Sequence, residues 1–575
     1  MTLPEVIRFW IDQVTRFISP EAVAAEWALL IAAALVIAAV PVCRGRWFRW
    51  LPLRFRRLAR AKRLAILICG VLPIALRLCM LGWAPVPDPS IHDEFSHLLL
   101  ADTLAHGRLT NPTHPMWRHF ESIHIIQRPT YNSMYPPGQG AVLALGQVTF
   151  GNPWAGVLLS VGLMFAAVCW MMQGWLRPEW SFFGTLVAML KFGLAGLWID
   201  SYMGGSVGAI GGALLIGSLP RLRRDDTSGG YAVLFALGIV TLLNTRPFEG
   251  GVLAAAATLY LLPVLVRRFR KHPLHTVRVF FVPAGAVLCC GAAVMGYYNL
   301  RVTGSPLRMP YQVNRDTYGW PENLAFLPPR KVVLDDKVLA TMYRNEVEHH
   351  QRYSSWDHIV DSLGVRLFDV WTFFMGPLLT FPVLLVPSFY RNRRFRPLLL
   401  FLALIAVLNL AQMVLYPYHL SPVVPVIFAL LAGAMRYAYV RLERTGLSRG
   451  IAFVLVLPIC VILVQAMKNP ASGLNLPLAY WERGYEAHRD ARAAIEAWLE
   501  AHPRKQLVIV RYAANHSPDQ EWVYNRADID GSKVVWARER DPESNEKLLR
   551  YFSGRKAWLL EADVYPQRVV PYTEE

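Results

Sequence analysis

Asp93 and Glu94 stand side by side in Ile91-His92-Asp93-Glu94-Phe95-Ser96, a few residues beyond an apolar run at 64–84. Carboxylates beside a bilayer are costly to place, so an adjacent pair there points to function. Two such groups can take a proton from an acceptor hydroxyl or hold a divalent cation. An Asp ahead of Phe95–Leu104 is also a good helix N-cap, and both roles can coexist in the pair.

Other residues with chemistry fall on short polar stretches. Asp200 precedes Ser201-Tyr202-Met203-Gly204-Gly205-Ser206, a run of small residues that lets a ligand approach backbone. Asn244-Thr245-Arg246-Pro247-Phe248-Glu249 offers an arginine, the side chain whose planar fork suits phosphate. Arg246 and Glu249 could instead pair with each other at i, i+3. Arg301 and Arg308 flank Val302-Thr303-Gly304-Ser305-Pro306 and are further phosphate candidates, or interface anchors. Six histidines crowd the first polar loop, and Asp93 with His97 has the i, i+4 spacing of a shared cation. Tyr135, Tyr202, Glu249, Tyr418 and His419 complete the substrate-facing set.

The elements that position these residues are membrane helices. The chain has 575 residues, 54% of them hydrophobic and 17% charged, with the charges bunched between apolar stretches. The net charge of +18 does not indicate nucleic acid, because the arginines sit in short loops where they set topology. The seven cysteines lie in or at the edges of apolar runs, so neither a disulfide framework nor a zinc knuckle is indicated. Twelve spans are predicted, at 23–43, 64–84, 154–174, 181–199, 206–220, 231–245, 250–267, 279–298, 366–388, 396–414, 421–438 and 451–467.

The loop holding Arg44 to Arg63 carries nine basic residues and no acid, so it is cytoplasmic. Alternation then puts Arg221–Arg224, Arg267–Lys271, Arg391–Arg396 and Arg436–Arg449 on the same side. This parity holds only if 136–151 does not cross, so that segment reads as a juxtamembrane or re-entrant helix on the outer face. The outer face then receives loops 85–153 and 299–365 and the tail 468–575. In the tail, helical periodicity alternates with short β-runs, which predicts a small α/β domain. Residues 1–22 read as an interfacial helix.

Asp93-Glu94 after a membrane helix, the helix Phe95–Asp102, Tyr135-Pro136-Pro137 opening a segment that ends at Phe150-Gly151, and Asp200 after a later helix form one pattern. It resembles the GT-C class of integral-membrane glycosyltransferases, most of all the protein O-mannosyltransferase and lipid A aminoarabinose transferase branch. The resemblance covers roughly residues 64–300. It implies a bundle of about a dozen helices, a polyprenyl-phosphate sugar as donor, and the first acid of the pair as base. The aminoarabinose branch has Glu-Lys before its Pro-Pro, where this chain has Met134-Tyr135, so another cation must meet the donor phosphate.

The expected fold is an all-α polytopic membrane protein with a small C-terminal α/β extracytoplasmic domain. The expected activity is sugar transfer to an acceptor hydroxyl on the outer face of a bacterial-type inner membrane. Asp93, Glu94 and Asp200 would be catalytic, and Arg246, Arg301 or Arg308 would bind phosphate. A divalent cation, on Asp93 and His97, is the candidate cofactor. The acceptor, a lipid, a glycan or a protein, is open, and the competing function is a transporter or flippase of lipid-linked glycans.

Overall fold

The computed structural model describes residues 20–39, 47–194, 196–224, 229–319, 324, 327–328, 332, 334, 336–353, 356–384, 392–412, 416–468, 486–513, 516–517 and 520–572. Most of the interfacial helix expected at 1–22, and the start of the tail, lie outside these residues.

Each of the twelve expected spans overlaps a helix. Six helices among the described residues are long and apolar enough to cross a bilayer: Pro153–Trp175, Gly205–Leu222, Pro247–Lys271, Pro273–Thr303, Pro417–Thr445 and Ser448–Met467. The expectations at 23–43, 64–84, 181–199, 231–245, 366–388 and 396–414 meet shorter or broken helices. The helix over 181–199 stops at Phe192, because turns around Gly193 and Gly196 lead into the polar stretch ending at Gly204. The segment over 366–388 bends by 88° between Arg366–Phe374 and Gly376–Leu384.

Helix packing relies on small residues, which let backbones approach where lipid gives no hydrophobic drive between helices. Residues 136–151 form the helix Pro137–Phe150, turn at Gly151 in the left-handed region (φ 71°), and continue as Pro153–Trp175 under an Asn152 cap. Gly146 and Gly156 meet at this corner so closely that a Cβ on either would overlap the other helix's backbone. Leu145, Val148 and Phe150 remain exposed, as expected of a helix lying at an apolar boundary.

The first polar loop contains the helix His92–Ala105 and a two-stranded pair, β1 (Ile125–Ile126) and β2 (Asn132–Ser133). The tail forms a four-stranded sheet in the order β4-β3-β5-β6, from β3 (Gln506–Arg511), β4 (Val534–Arg538), β5 (Lys556–Glu561) and β6 (Arg568–Pro571). The first three strands are parallel and β6 is antiparallel. Side chains alternate along a strand, so β3 presents two faces, and both are buried. Val508 and Val510 pack with Leu499 of the helix Glu486–Glu500. Leu507 and Ile509 pack on Phe95, Leu99, Phe120, Ile125 and Tyr131 of the first polar loop. The C-terminal sheet and that loop therefore share one hydrophobic core.

Candidate active site

The helix that carries the acidic pair begins at His92. Glu94 satisfies its N-terminal donors: Oε2 accepts the Ser90 N–H at 2.8 Å, the Ser90 hydroxyl at 2.9 Å and the Ile91 N–H at 3.2 Å. Oε1 accepts the Tyr202 N–H at 2.9 Å, across 108 residues of sequence. Burial pushes the Glu94 carboxyl up, and the N–H donors of Ser90 and Tyr202 oppose it. Glu94 thus caps the helix and staples the stretch around Tyr202 to it. The capping role offered for the pair belongs to Glu94.

Asp93 is freed for other work. Its Oδ1 accepts from His124 Nδ1 at 2.7 Å and from the Tyr135 hydroxyl, and His92 Nε2 lies 3.9 Å away. Among the described residues, Oδ2 takes no hydrogen bond. Burial works against the charge of Asp93, but the positive field of His92 and the His124 and Tyr135 hydrogen bonds outweigh it. The carboxyl is held well below the usual carboxylate range. Its place in a helix's first turn acts in the same direction. A carboxylate can only accept, so His124 carries its proton on Nδ1. His124 itself is pushed down, by burial and then by the field of His92, against the pull of Asp93.

His124 adopts φ 61°, the one non-glycine residue in the left-handed region among those described. Such backbone costs on the order of 1 kcal/mol or more and persists only where the surroundings over-determine it.

Around Asp93 stand His97, one turn along the same helix, and Arg246 from another part of the chain. The His97 ring stacks on Tyr135 with centroids 4.5 Å apart, and its Nδ1 is buried without a partner. Burial brings the His97 imidazole down to about 4, against the attraction of Asp93 and with the repulsion of Arg246. Arg246 arrives because Gly138 N–H, at the start of the helix Pro137–Phe150, bonds the Asn244 carbonyl at 2.8 Å. Its guanidinium lies 5.2 Å from the centroid of Tyr418, and His419 packs edge-on against Tyr418 at 4.7 Å. Among the described residues Arg246 has no carboxylate partner. Glu249 does not pair with it: its Oε1 accepts from Gln412 Nε2 at 3.2 Å.

Asp200 lies apart from this group. It is bound by Arg77, through Nη2 at 2.9 Å and Nε at 3.2 Å, and accepts the Gly196 N–H at 2.9 Å. Arg77 is held from all sides. It is 1% exposed, donates to the Ala84 and Pro85 carbonyls, and lies 4.9 Å over Trp154. The Tyr202 hydroxyl bonds the Pro87 carbonyl at 2.9 Å, so this tyrosine too ties loops together. Arg301 and Arg308 are exposed; Arg308 pairs with Asp316 at 2.6 Å and Arg301 reaches the Tyr297 hydroxyl at 3.5 Å.

His92 and His124 are the partners that spacing did not single out. The i, i+4 rule selected His97, whereas the fold brings His124 to Asp93 from 31 residues away. Donor atoms of His92, Asp93 and His124 lie within 4.8 Å of one another, close enough to share a metal ion. Two imidazoles with one carboxylate suit a zinc-like ion better than calcium or magnesium. The unpartnered Nδ1 of His92 fits that use.

No family model matches the chain, and no curated protein matches it. Among solved structures it is similar to ArnT from Cupriavidus metallidurans bound to undecaprenyl phosphate. That match has 13% identity and a TM-score of 0.46, and covers 85% of this chain and 92% of the other. It is also similar to the Archaeoglobus fulgidus oligosaccharyltransferase in complex with Zn and sulfate, with 12% identity, a TM-score of 0.44, and coverage of 86% and 67%. A third is AglB from Archaeoglobus fulgidus with an inhibitory peptide and a dolichol-phosphate, with 12% identity, a TM-score of 0.42, and coverage of 88% and 70%.

Proposed function

We propose that this chain is a membrane glycosyltransferase that moves a sugar from a polyprenyl-phosphate donor to an acceptor hydroxyl, at the outer face of a bacterial-type inner membrane. The observation that carries the reading is the buried Asp93 carboxylate, its Oδ1 held by His124 and Tyr135, with Arg246 acting on the same His97 and pairing with no carboxylate among the described residues. Arg246 would hold the donor phosphate with Tyr418 beneath it. Oδ2 of Asp93 would take the proton as the acceptor oxygen bonds the anomeric carbon. The electrons of the breaking carbon–oxygen bond leave on the polyprenyl phosphate, whose growing charge Arg246 stabilises. One carboxylate and one displacement give inversion.

A carboxylate held this low is a weak base. That suits a reaction whose transition state resembles an oxocarbenium ion, where the leaving group departs early and the proton moves late. His124 and Tyr135 fix Oδ1, so Oδ2 keeps its direction. Glu94, Asp200 and Tyr202 would contribute by holding the loops, and His97, Glu249 and His419 from their places beside Asp93 and Arg246. A cation on His92, Asp93 and His124 would supply positive charge beside the reacting centre.

The test uses purified protein with a radiolabelled polyprenyl-phosphate sugar and, separately, a nucleotide sugar. Release of polyprenyl phosphate that depends on Asp93 supports the reading. Turnover of the nucleotide sugar without lipid carrier overturns it. The second reading, a flippase of lipid-linked glycans, draws on the 88° break at Met375–Gly376, since broken helices line transport paths. It requires the lipid to cross vesicles uncleaved.

A further inference from the structure

The C-terminal domain reaches the segments on either side of Asp93. Phe95, two residues after Asp93, is stacked on Tyr524 with centroids 4.3 Å apart and planes 5° from parallel. The guanidinium of Arg492 lies 4.5 Å over the Phe95 ring, and Arg492 also donates to the Tyr524 carbonyl at 3.5 Å. The same domain grips the loop that delivers His124. Arg538, at the end of β4, is fully buried and donates through Nε to the Glu121 carbonyl at 2.5 Å. Its other nitrogens pair with Glu521 and with Asp336. The Tyr524 hydroxyl reaches the Ile123 carbonyl at 3.5 Å.

Between Glu121 and Ile125 every backbone carbonyl has a partner. Ser122 O accepts the Ile125 N–H, His124 O accepts from Ser96 Oγ at 2.8 Å and from the Met134 N–H at 3.2 Å, and Ile125 O accepts from Asn314 at 3.3 Å. Two of the five, Glu121 and Ile123, are held by the C-terminal domain. This is the environment that keeps His124 at φ 61°. Residues strained in this way relax when their restraints are cut. Relaxation of His124 would withdraw Nδ1 from Asp93.

We propose that the C-terminal domain sets the Asp93–His124 pair, with Arg538 and Tyr524 as positioning residues that hold the loop 121–125 in its strained form. The domain then belongs to the site although it supplies no group to the reaction. The consequence for rate rests on the transferase reading above; the consequence for the loop does not. A misplacement of about 1 Å in a reacting constellation lowers rate on the order of 100-fold.

The experiment compares the full-length protein with Arg538→Lys and Tyr524→Phe. The latter keeps the ring on Phe95 and removes only the hydroxyl, so it tests the idea even where Arg538→Lys fails to fold. Amide hydrogen exchange by mass spectrometry reads residues 118–126 and, as an internal control, strands β3 and β5. Donor turnover is read as kcat and KM. The expected result is exchange at least tenfold faster in 118–126 with unchanged strands, together with lower kcat at constant KM for the donor. Wild-type exchange in 118–126 in the folded variants overturns the proposal, whatever the turnover. Faster exchange in 118–126 with undiminished donor turnover also overturns it, because the loop then moves without consequence for the pair. Absence of donor turnover in the wild-type protein would instead count against the transferase reading, and the exchange data would still decide the loop.

Discussion

Arg77 and Asp200 form an ion pair, 2.9 Å at its closest, between a buried arginine near the end of one helix and the polar stretch that runs from Asp200 to Ser206. The pair sets where that stretch lies, and with it the Tyr202 N–H that Glu94 holds. Asp200 is half-buried, so removing one partner leaves a partly screened charge, which costs on the order of 1 to 3 kcal/mol. Asp200→Asn and Arg77→Met are each expected to lower the unfolding midpoint. The double variant should lose less than the sum of the two. Additive losses in a double-mutant cycle would show that the pair is not energetically connected.

Asp93→Asn keeps volume and removes the carboxylate. Loss of a positioned base lowers rate on the order of 100- to 10,000-fold. Because Asp93 stays ionised well below the usual range, turnover by the wild-type protein should show no acid limb near pH 4 to 5 from this residue. Wild-type-like turnover by the Asn variant would remove Asp93 from the reaction.

His97 gives stability its own pH dependence. The imidazole is held neutral in the fold, down to about 4, while the unfolded chain protonates near the ordinary 6.5. Below 6.5 the unfolded state binds more protons, so stability falls as pH drops from about 6.5 to about 4, by roughly 3 kcal/mol at most. Denaturant titrations at pH 7.0, 5.5 and 4.5 should show this slope, and His97→Gln should flatten it. An equal slope in the variant would assign the effect elsewhere.

Arg246, Arg301 and Arg308 separate cleanly in their surroundings. Arg246→Ala is expected to abolish turnover with a polyprenyl-phosphate donor, and Arg246→Lys to restore little, because a point charge does not reproduce the planar fork. Arg301→Ala and Arg308→Ala should retain at least about half of the activity, since exposed pairs such as Arg308–Asp316 contribute little. Full activity in Arg246→Ala would leave the phosphate contact unassigned.

Orientation is read by labelling single cysteines in a cysteine-free background. Arg128→Cys and Lys547→Cys are exposed positions and should react with an impermeant reagent in intact spheroplasts. Lys271→Cys should react only after lysis. Protection at Arg128 or Lys547 would invert the topology.

The sequence by itself placed helices over all twelve apolar segments and anticipated three of the four strands of the tail. These are properties of local pattern: hydrophobic runs, basic loops and alternating β-branched residues report on a few neighbours at a time. It also singled out Asp93, Arg246 and Tyr135, because a charge at a helix mouth is conspicuous wherever the chain goes next. The tertiary structure decided what those residues touch. Spacing paired Asp93 with His97 on one helix face, but the loop returns His124 to its Oδ1 instead. Asp200, as conspicuous as Asp93 in sequence, is occupied by Arg77 from a helix 123 residues away. The shared core of Leu507 and Ile509 with Phe95 and Phe120 was equally hidden, since an alternating strand declares two faces without naming what covers each. A side chain's chemistry is written in its type; its partners depend on which distant segments the packing brings within hydrogen-bonding reach.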